Sequence, residues 1–183
     1  MIIGEHVRVR AVERDDLPRF VEWLNDPEVR RNLAFYQPLS LPQEELWFEH
    51  NLSLPPGEQT LSIDLLSDDQ WRHAGATGFK HHDQRERSAE VGIMIGLKEF
   101  WNRGYGCEAM QLIVGHGFRN LNLNRIFLQV FETNSAGIRC YEKAGFSHEG
   151  RQREARFYEG HYIDVVLMSI LKSEWQNQFG DSQ

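Results

Sequence analysis

Trp101-Asn102-Arg103-Gly104-Tyr105-Gly106-Cys107-Glu108-Ala109 decides the fold of this chain through what stands on either side of it. Before it, Ala89, Val91, Ile93 and Ile95 alternate with Glu90, Gly92 and Met94, the period-two pattern of a strand with one buried face. After it, Met110, Ile113, Val114, Gly117 and Phe118 keep helical spacing. A glycine-bearing turn from strand to helix aims several backbone N–H groups outward at a helix N-terminus, and such a nest suits phosphate. Gly104 and Gly106 allow a close approach that a Cβ would forbid, and Arg103 adds a positive charge. The plain alternative is a glycine turn that only joins two elements.

Phosphate loops of different chemistry make different demands here. The nucleotide-hydrolase loop ends in Gly-Lys-Ser/Thr, whereas Gly106 is followed by Cys107 and Glu108, which excludes it. The dinucleotide pattern G-x-G-x-x-G/A is met by Gly104, Gly106 and Ala109, but its context is wrong. That turn follows the first strand of its fold, and its acidic partner about 20 residues on would fall near position 124, which is Asn.

Working outward, Val7, Val9 and Ala11 predict an opening strand, and Leu17, Phe20, Val21 and Leu24 predict an amphipathic helix stopped near Asn25-Asp26-Pro27. A second helix is predicted over Glu44 to Leu52, before Pro55-Pro56-Gly57. Leu61, Ile63 and Leu65, the turn Ser67-Asp68-Asp69-Gln70, and Gly75 to Phe79 predict a hairpin. Downstream, Ile126, Leu128 and Val130 resume strand spacing, Asn134 caps a helix that runs through Tyr141 to Gly145, and Val165 to Ile170 forms the last strand. The expected class is α+β, a mostly antiparallel front followed by a β-loop-α-β-α half, in one domain over residues 1–183.

The composition fits that class. Of 183 residues, 40% are hydrophobic, enough for one core, and the longest apolar runs fall far short of the roughly 20 residues that cross a bilayer. With no leader-like segment at its start, the chain is expected to be cytoplasmic. A net charge of -7 speaks against nonspecific nucleic-acid binding and favours a cationic substrate. Cys107 and Cys140 are expected as free thiols, and the eight histidines lack metal-ligand spacing, so that His81-His82 reads as a polar turn. No metal is expected. Trp47, Phe48 and Tyr36 could line an acceptor cleft, although aromatics near a helix are more often core.

The loop also resembles the acetyl-coenzyme A motif of the GNAT superfamily of N-acetyltransferases: Gln or Arg, two variable residues, Gly, one variable residue, Gly or Ala. Trp101 departs from it at the first position. A second match follows at family spacing in Asn134-Ser135-Ala136-Gly137-Ile138-Arg139-Cys140-Tyr141-Glu142-Lys143-Ala144-Gly145-Phe146. Within the superfamily, Trp23-Leu24-Asn25-Asp26-Pro27-Glu28-Val29 and Glu149-Gly150-Arg151 are most similar to the branch of ribosomal-protein N-terminal and spermidine acetyltransferases. The resemblance implies a mixed, mostly antiparallel sheet flanked by helices, with a splayed pair of parallel strands holding the coenzyme.

By the same resemblance, the strand through Met94 and Ile95 pairs with the pantetheine arm, and an N–H near Met94 stabilises the oxyanion. The diphosphate lies on the amides of Arg103, Gly104, Tyr105, Gly106 and Cys107, with Asn134 and Lys143 as further contacts, and Asn134 also serves as a plain cap. Tyr141 is the implied general acid for the leaving thiolate, with packing beside the sulfur as its bland alternative. Glu90 is the first candidate for the base that deprotonates the incoming ammonium, Glu132 the second, and each could instead be a solvated or paired carboxylate. Cys107 is read as a small loop residue rather than a nucleophile. The expected reaction moves acetyl from acetyl-CoA to a primary amine (a protein N-terminus, a polyamine or another small amine) by direct attack, with the oligomeric state left open and a homodimer among its candidates. An acetyl-CoA sensor without useful catalysis is the alternative.

Overall fold

The computed structural model describes residues 1–180. In chain order the elements are β1 (Ile2–Ile3), β2 (Val7–Ala11), α1 (Leu17–Asn25), α2 (Pro27–Arg30), α3 (Leu41–Ser53), β3 (Leu61–Ser67), β4 (Gln70–Asp83) and β5 (Ser88–Ile95). They continue with α4 (Tyr105–Arg119), β6 (Arg125–Phe131), α5 (Ser135–Lys143), β7 (Ser147–Tyr158), β8 (His161–Leu171) and α6 (Lys172–Phe179). All eight strands join one sheet in the order β1-β2-β3-β4-β5-β6-β8-β7. Among the described residues only β5 and β6 run parallel, and α4 is their crossover. This is the mixed, mostly antiparallel α+β sheet expected. No helix among the described residues is long and apolar enough to cross a membrane.

Three apolar clusters hold the layers together. The largest packs Met110, Ile113, Val114 and Phe118 of α4 onto Phe79, Val91, Ile126 and Met168 of the sheet, where burial of each large side chain contributes about 1.5–3 kcal/mol. A second gathers β2 and β3 beneath Phe100, and a third sets Leu17, Phe20 and Trp23 of α1 against Phe48 of α3. Phe48 and Trp47 therefore belong to packing, whereas Tyr36 is 83% exposed.

Several boundaries differ from the expectation for local reasons. The second helix starts three residues early, at Leu41, because Ser40 and Gln43 form a capping box, with Ser40 N–H donating to Gln43 Oε1 at 2.9 Å. The expected strand at Gly75–Phe79 extends over residues 70–83, since the turn at Asp68 and Asp69 takes φ of 51° and 59° and feeds directly into pairing. Three elements carry no period in the sequence. Eleven of β7's twelve residues are exposed at the sheet edge, α2 is a single turn, and α6 is polar around Trp175.

Candidate functional site

The site is opened by a failure of pairing. The parallel β5–β6 ladder holds for Ser88, Ala89 and Glu90 against Arg125, Ile126 and Phe127. Past it, β5 stays with β4 and β6 with β8, so the two strands diverge into a wedge. On β5 the even-numbered residues face β4: Gly92 O accepts from Thr77 Oγ1 at 2.8 Å, and Gly96 N–H donates to Ala74 O at 2.7 Å. Ile95 O instead accepts from Trp101 Nε1 at 2.7 Å. By the alternation of a ladder, the amides that face the wedge are those of Ile93 and Ile95, flanking Met94, whose own amide faces Ala76.

At one end of the wedge, α4 presents its N-terminus. Gly104 is the N-cap, with φ of 90°, and no atom lies within 4 Å of a Cβ built on it. Gly106 meets only Ile95 Cγ1, at 3.7 Å. Cys107 and Glu108 N–H both turn back to Gly104 O, at 3.0 and 3.1 Å. The expected amide of Cys107 is thus spent inside the helix, which leaves the amides up to Gly106 pointing outward. Tyr105 contributes main chain only, because its ring packs edge-on to Phe100. Arg103 and Lys143 are exposed, and Lys143 lies close enough to Cys107 for its charge to act on the thiol. The contact with Cys140 is the main influence holding Cys107 low, at about 7, against burial and with help from Lys143. Both cysteines are free thiols.

Helix α5 forms the opposite wall. Asn134 Oδ1 accepts from Gly137 N–H at 2.9 Å, which caps the helix and leaves the amide nitrogen available to a ligand. A cleft of about 260 Å³ is lined by Met94, Ile95, Gly104, Gly106, Asn134 and Tyr141, among others. Six of the expected site residues therefore meet in one place. Burial pushes the Tyr141 phenol up from its ordinary value, so it stays protonated. An open face over two glycines at a helix start, continuing into a wedge of free main chain, fits a diphosphate joined to an extended amide-bearing arm.

Tyr141 and Asn134 also border an adjoining cleft of about 240 Å³, shared with Glu90, His81 and Arg156. Glu90 is buried, and its carboxylate is held by Lys80 Nζ at 3.1 Å and His81 Nδ1 at 2.9 Å. Its partner His81 sits at φ of 52°, inside the irregular register of the β4–β5 hairpin, so it is more than the polar turn read from the sequence. Glu132 is tied to Arg151 at 3.0 Å and to Asp164 N–H at 2.9 Å. Two contributors gave no sequence signal. Trp101 bonds the strand end instead of standing in for the motif's Gln or Arg, and Asn32, Leu33 and Ala34 reach the cleft from the segment after α2. That segment is clasped by Asn25, which donates to Leu39 O at 2.7 Å and accepts from Leu39 N–H at 2.9 Å.

Residues 6–147 match the family described as acetyltransferase (GNAT) domain. An uncharacterized N-acetyltransferase, p20 of Bacillus licheniformis, is 31% identical over 93% of this chain and 96% of its own length. The spermidine N(1)-acetyltransferase of Vibrio cholerae is 30% identical over 96% of this chain and 99% of its own. A solved structure of spermidine N-acetyltransferase from Vibrio cholerae, in complex with CoA and spermine, superposes with a TM-score of 0.84 at 28% identity. It covers 95% of this chain and 100% of that one.

Proposed function

The chain belongs to the GNAT acetyltransferase family and uses acetyl-CoA as co-substrate; on that premise we propose that it acetylates a primary amine by direct attack, with Tyr141 as general acid and the Glu90–His81 pair as base. The observation that carries this reading is the wedge after Glu90, where the free amides of Ile93 and Ile95, the Tyr141 phenol and the Glu90–His81 pair border connected clefts.

The residues divide the work by chemistry. Amides from Arg103 to Gly106, with Lys143 and the Asn134 side chain, hold the coenzyme's phosphates and arm. An ammonium acceptor loses its proton to the imidazole of His81, which Glu90 orients and whose positive charge Glu90 then offsets. The amine's lone pair forms the new N–C bond, and the amide of Ile93 or Ile95 stabilises the oxyanion. As the C–S bond breaks, Tyr141 delivers its proton to the thiolate.

The test is release of free thiol from acetyl-CoA by the purified chain, against a panel of primary amines. Acetyl-CoA should also raise the melting temperature, as a ligand of the native state does, whereas NADH should not. Binding of acetyl-CoA with no transfer to any amine would leave a sensor in place of an enzyme.

A further inference from the structure

The acceptor side of the cleft differs in charge from the chain as a whole. Beyond Arg156, Leu33, Ala34 and Phe131, which it shares with the cleft at Glu90, a cavity of about 600 Å³ runs between the segment after α2 and the β7–β8 hairpin. Its walls are aromatic, with Phe35, Tyr36, Phe131 and Phe157 contributing, and Tyr36 and Phe157 are 83% and 66% exposed. Rings so placed gain by covering an apolar guest.

Two cations in this cavity, Arg30 and Arg156, have no ion-pair partner among the described residues, whereas Arg14, Arg72 and Arg125 each have one and Arg151 has two. Of the carboxylates nearby, Glu90 is held by Lys80 and His81, and Glu159, which lines the cavity itself, accepts from the neutral Tyr158 Oη at 2.9 Å and keeps its charge, so the cavity carries two guanidinium groups to one carboxylate. A polyamine carries several positive charges and needs several carboxylates along its length, while this cavity has more guanidinium groups than carboxylates. Guanidinium is the side chain best shaped to grip a carboxylate, through two parallel hydrogen bonds.

We propose that the acceptor is an amine on an aromatic-sized apolar body that bears a carboxylate, bound by Arg156 and Arg30. This assignment rests on the transferase reading above and narrows it. The same chemistry is offered by a free amino acid with an aromatic side chain and by a peptide N-terminus with a carboxylate close behind it.

The experiment compares kcat/KM for phenylalanine, for phenethylamine as its analogue without the carboxylate, for a short Phe-Asp peptide and for spermidine, all with saturating acetyl-CoA. Phenylalanine or the peptide should exceed phenethylamine by about tenfold or more, the size expected when a charge-assisted pair is made or lost. Spermidine should fall below both. The better of the two carboxylate arms identifies the source. In Arg156→Gln the ratio of carboxylate to non-carboxylate substrate should collapse toward one, and Arg156→Lys should restore part of it. Spermidine as the best substrate, or an unchanged ratio in Arg156→Gln, overturns this assignment and leaves the transferase reading standing. Transfer to none of these four amines, with acetyl-CoA bound, also overturns this assignment, and transfer to none of the wider panel above overturns the transferase reading with it.

Discussion

Tyr141 is a phenol kept neutral by burial at the meeting point of two clefts, so its hydroxyl is the group whose loss tests chemistry apart from binding. Tyr141→Phe preserves the ring and should keep acetyl-CoA affinity by calorimetry while lowering kcat about 10- to 100-fold. That is modest for general acid catalysis, because a thiolate is already a fair leaving group. Gly106→Val tests the other half of the site. A Cβ there touches only Ile95 within the protein, so the fold should tolerate it, while the methyl groups enter the space above the helix N-terminus. Acetyl-CoA affinity should fall at least about tenfold with little change in melting temperature. Single residues were legible in the sequence where a backbone demand selects a residue type, as at Gly104, Gly145 and Asn134. The Glu90–His81 pair was legible only in half, because its partner lies in a hairpin irregularity that no local pattern announces.

At the scale of elements, one side-chain hydrogen bond ties the end of β5 to the turn before α4. Trp101 Nε1 donates to Ile95 O, fixing the strand end against the turn that starts α4. Trp101→Phe keeps an aromatic ring but loses the donor. It should weaken acetyl-CoA binding several-fold, because the loop must then be ordered by the ligand itself, and it should cost about 1 kcal/mol of stability in a denaturant melt. Strands β2, β3, β5 and β6 declared themselves by apolar residues at every second position and β8 by the apolar run within Val165 to Ile170, which is why they could be read directly. Strand β7 could not, since it buries neither face, and neither could α2, whose Pro27 start and Asp26 cap look like the end of α1. These two unread elements flank the cavity proposed for the acceptor, so the sequence pointed to Glu90 and Tyr36 on that side but not to the walls that α2 and β7 supply.

At the scale of the molecule, a chain with a net charge of -7 still places Arg30 and Arg156 beside the cavity proposed for the acceptor, so local charge there differs in sign from the whole. Its acidity resides partly in buried groups that give stability a pH profile. Burial acts to raise Asp16, yet Arg10, Glu13 N–H, His73 and Ser62 hold it at about 2, below the ordinary 3.8. That contribution is complete above pH 3.8 and is lost as pH falls through 2. Asp16→Asn should therefore cost about 2–4 kcal/mol at pH 7, since it leaves Arg10 and His73 facing a neutral group. Glu44 behaves oppositely. Burial alone raises it from 4.5 to about 7, so the folded state holds a proton that the unfolded state has released, and stability declines as pH rises between those values. Glu44→Gln should leave stability near pH 4.5 unchanged and add about 1–3 kcal/mol at pH 8. Denaturant melts of both proteins at the two pH values check the sign.

The divergence of β5 from β6 has one more consequence, for how the protein behaves in a crowded solution without its coenzyme. Strand edges ordinarily lie at the rim of a sheet, where this chain keeps them short at β1 and charged and irregular at β7. The wedge is an edge placed in the interior, with unmet amides at Ile93 and Ile95, and neither shortness nor charge defends it. Any extended peptide narrow enough to enter could pair there as a coenzyme arm does. Acetyl-CoA is thus also the guard of that opening, and the chain should remain monodisperse for longer at high concentration with the coenzyme than without it.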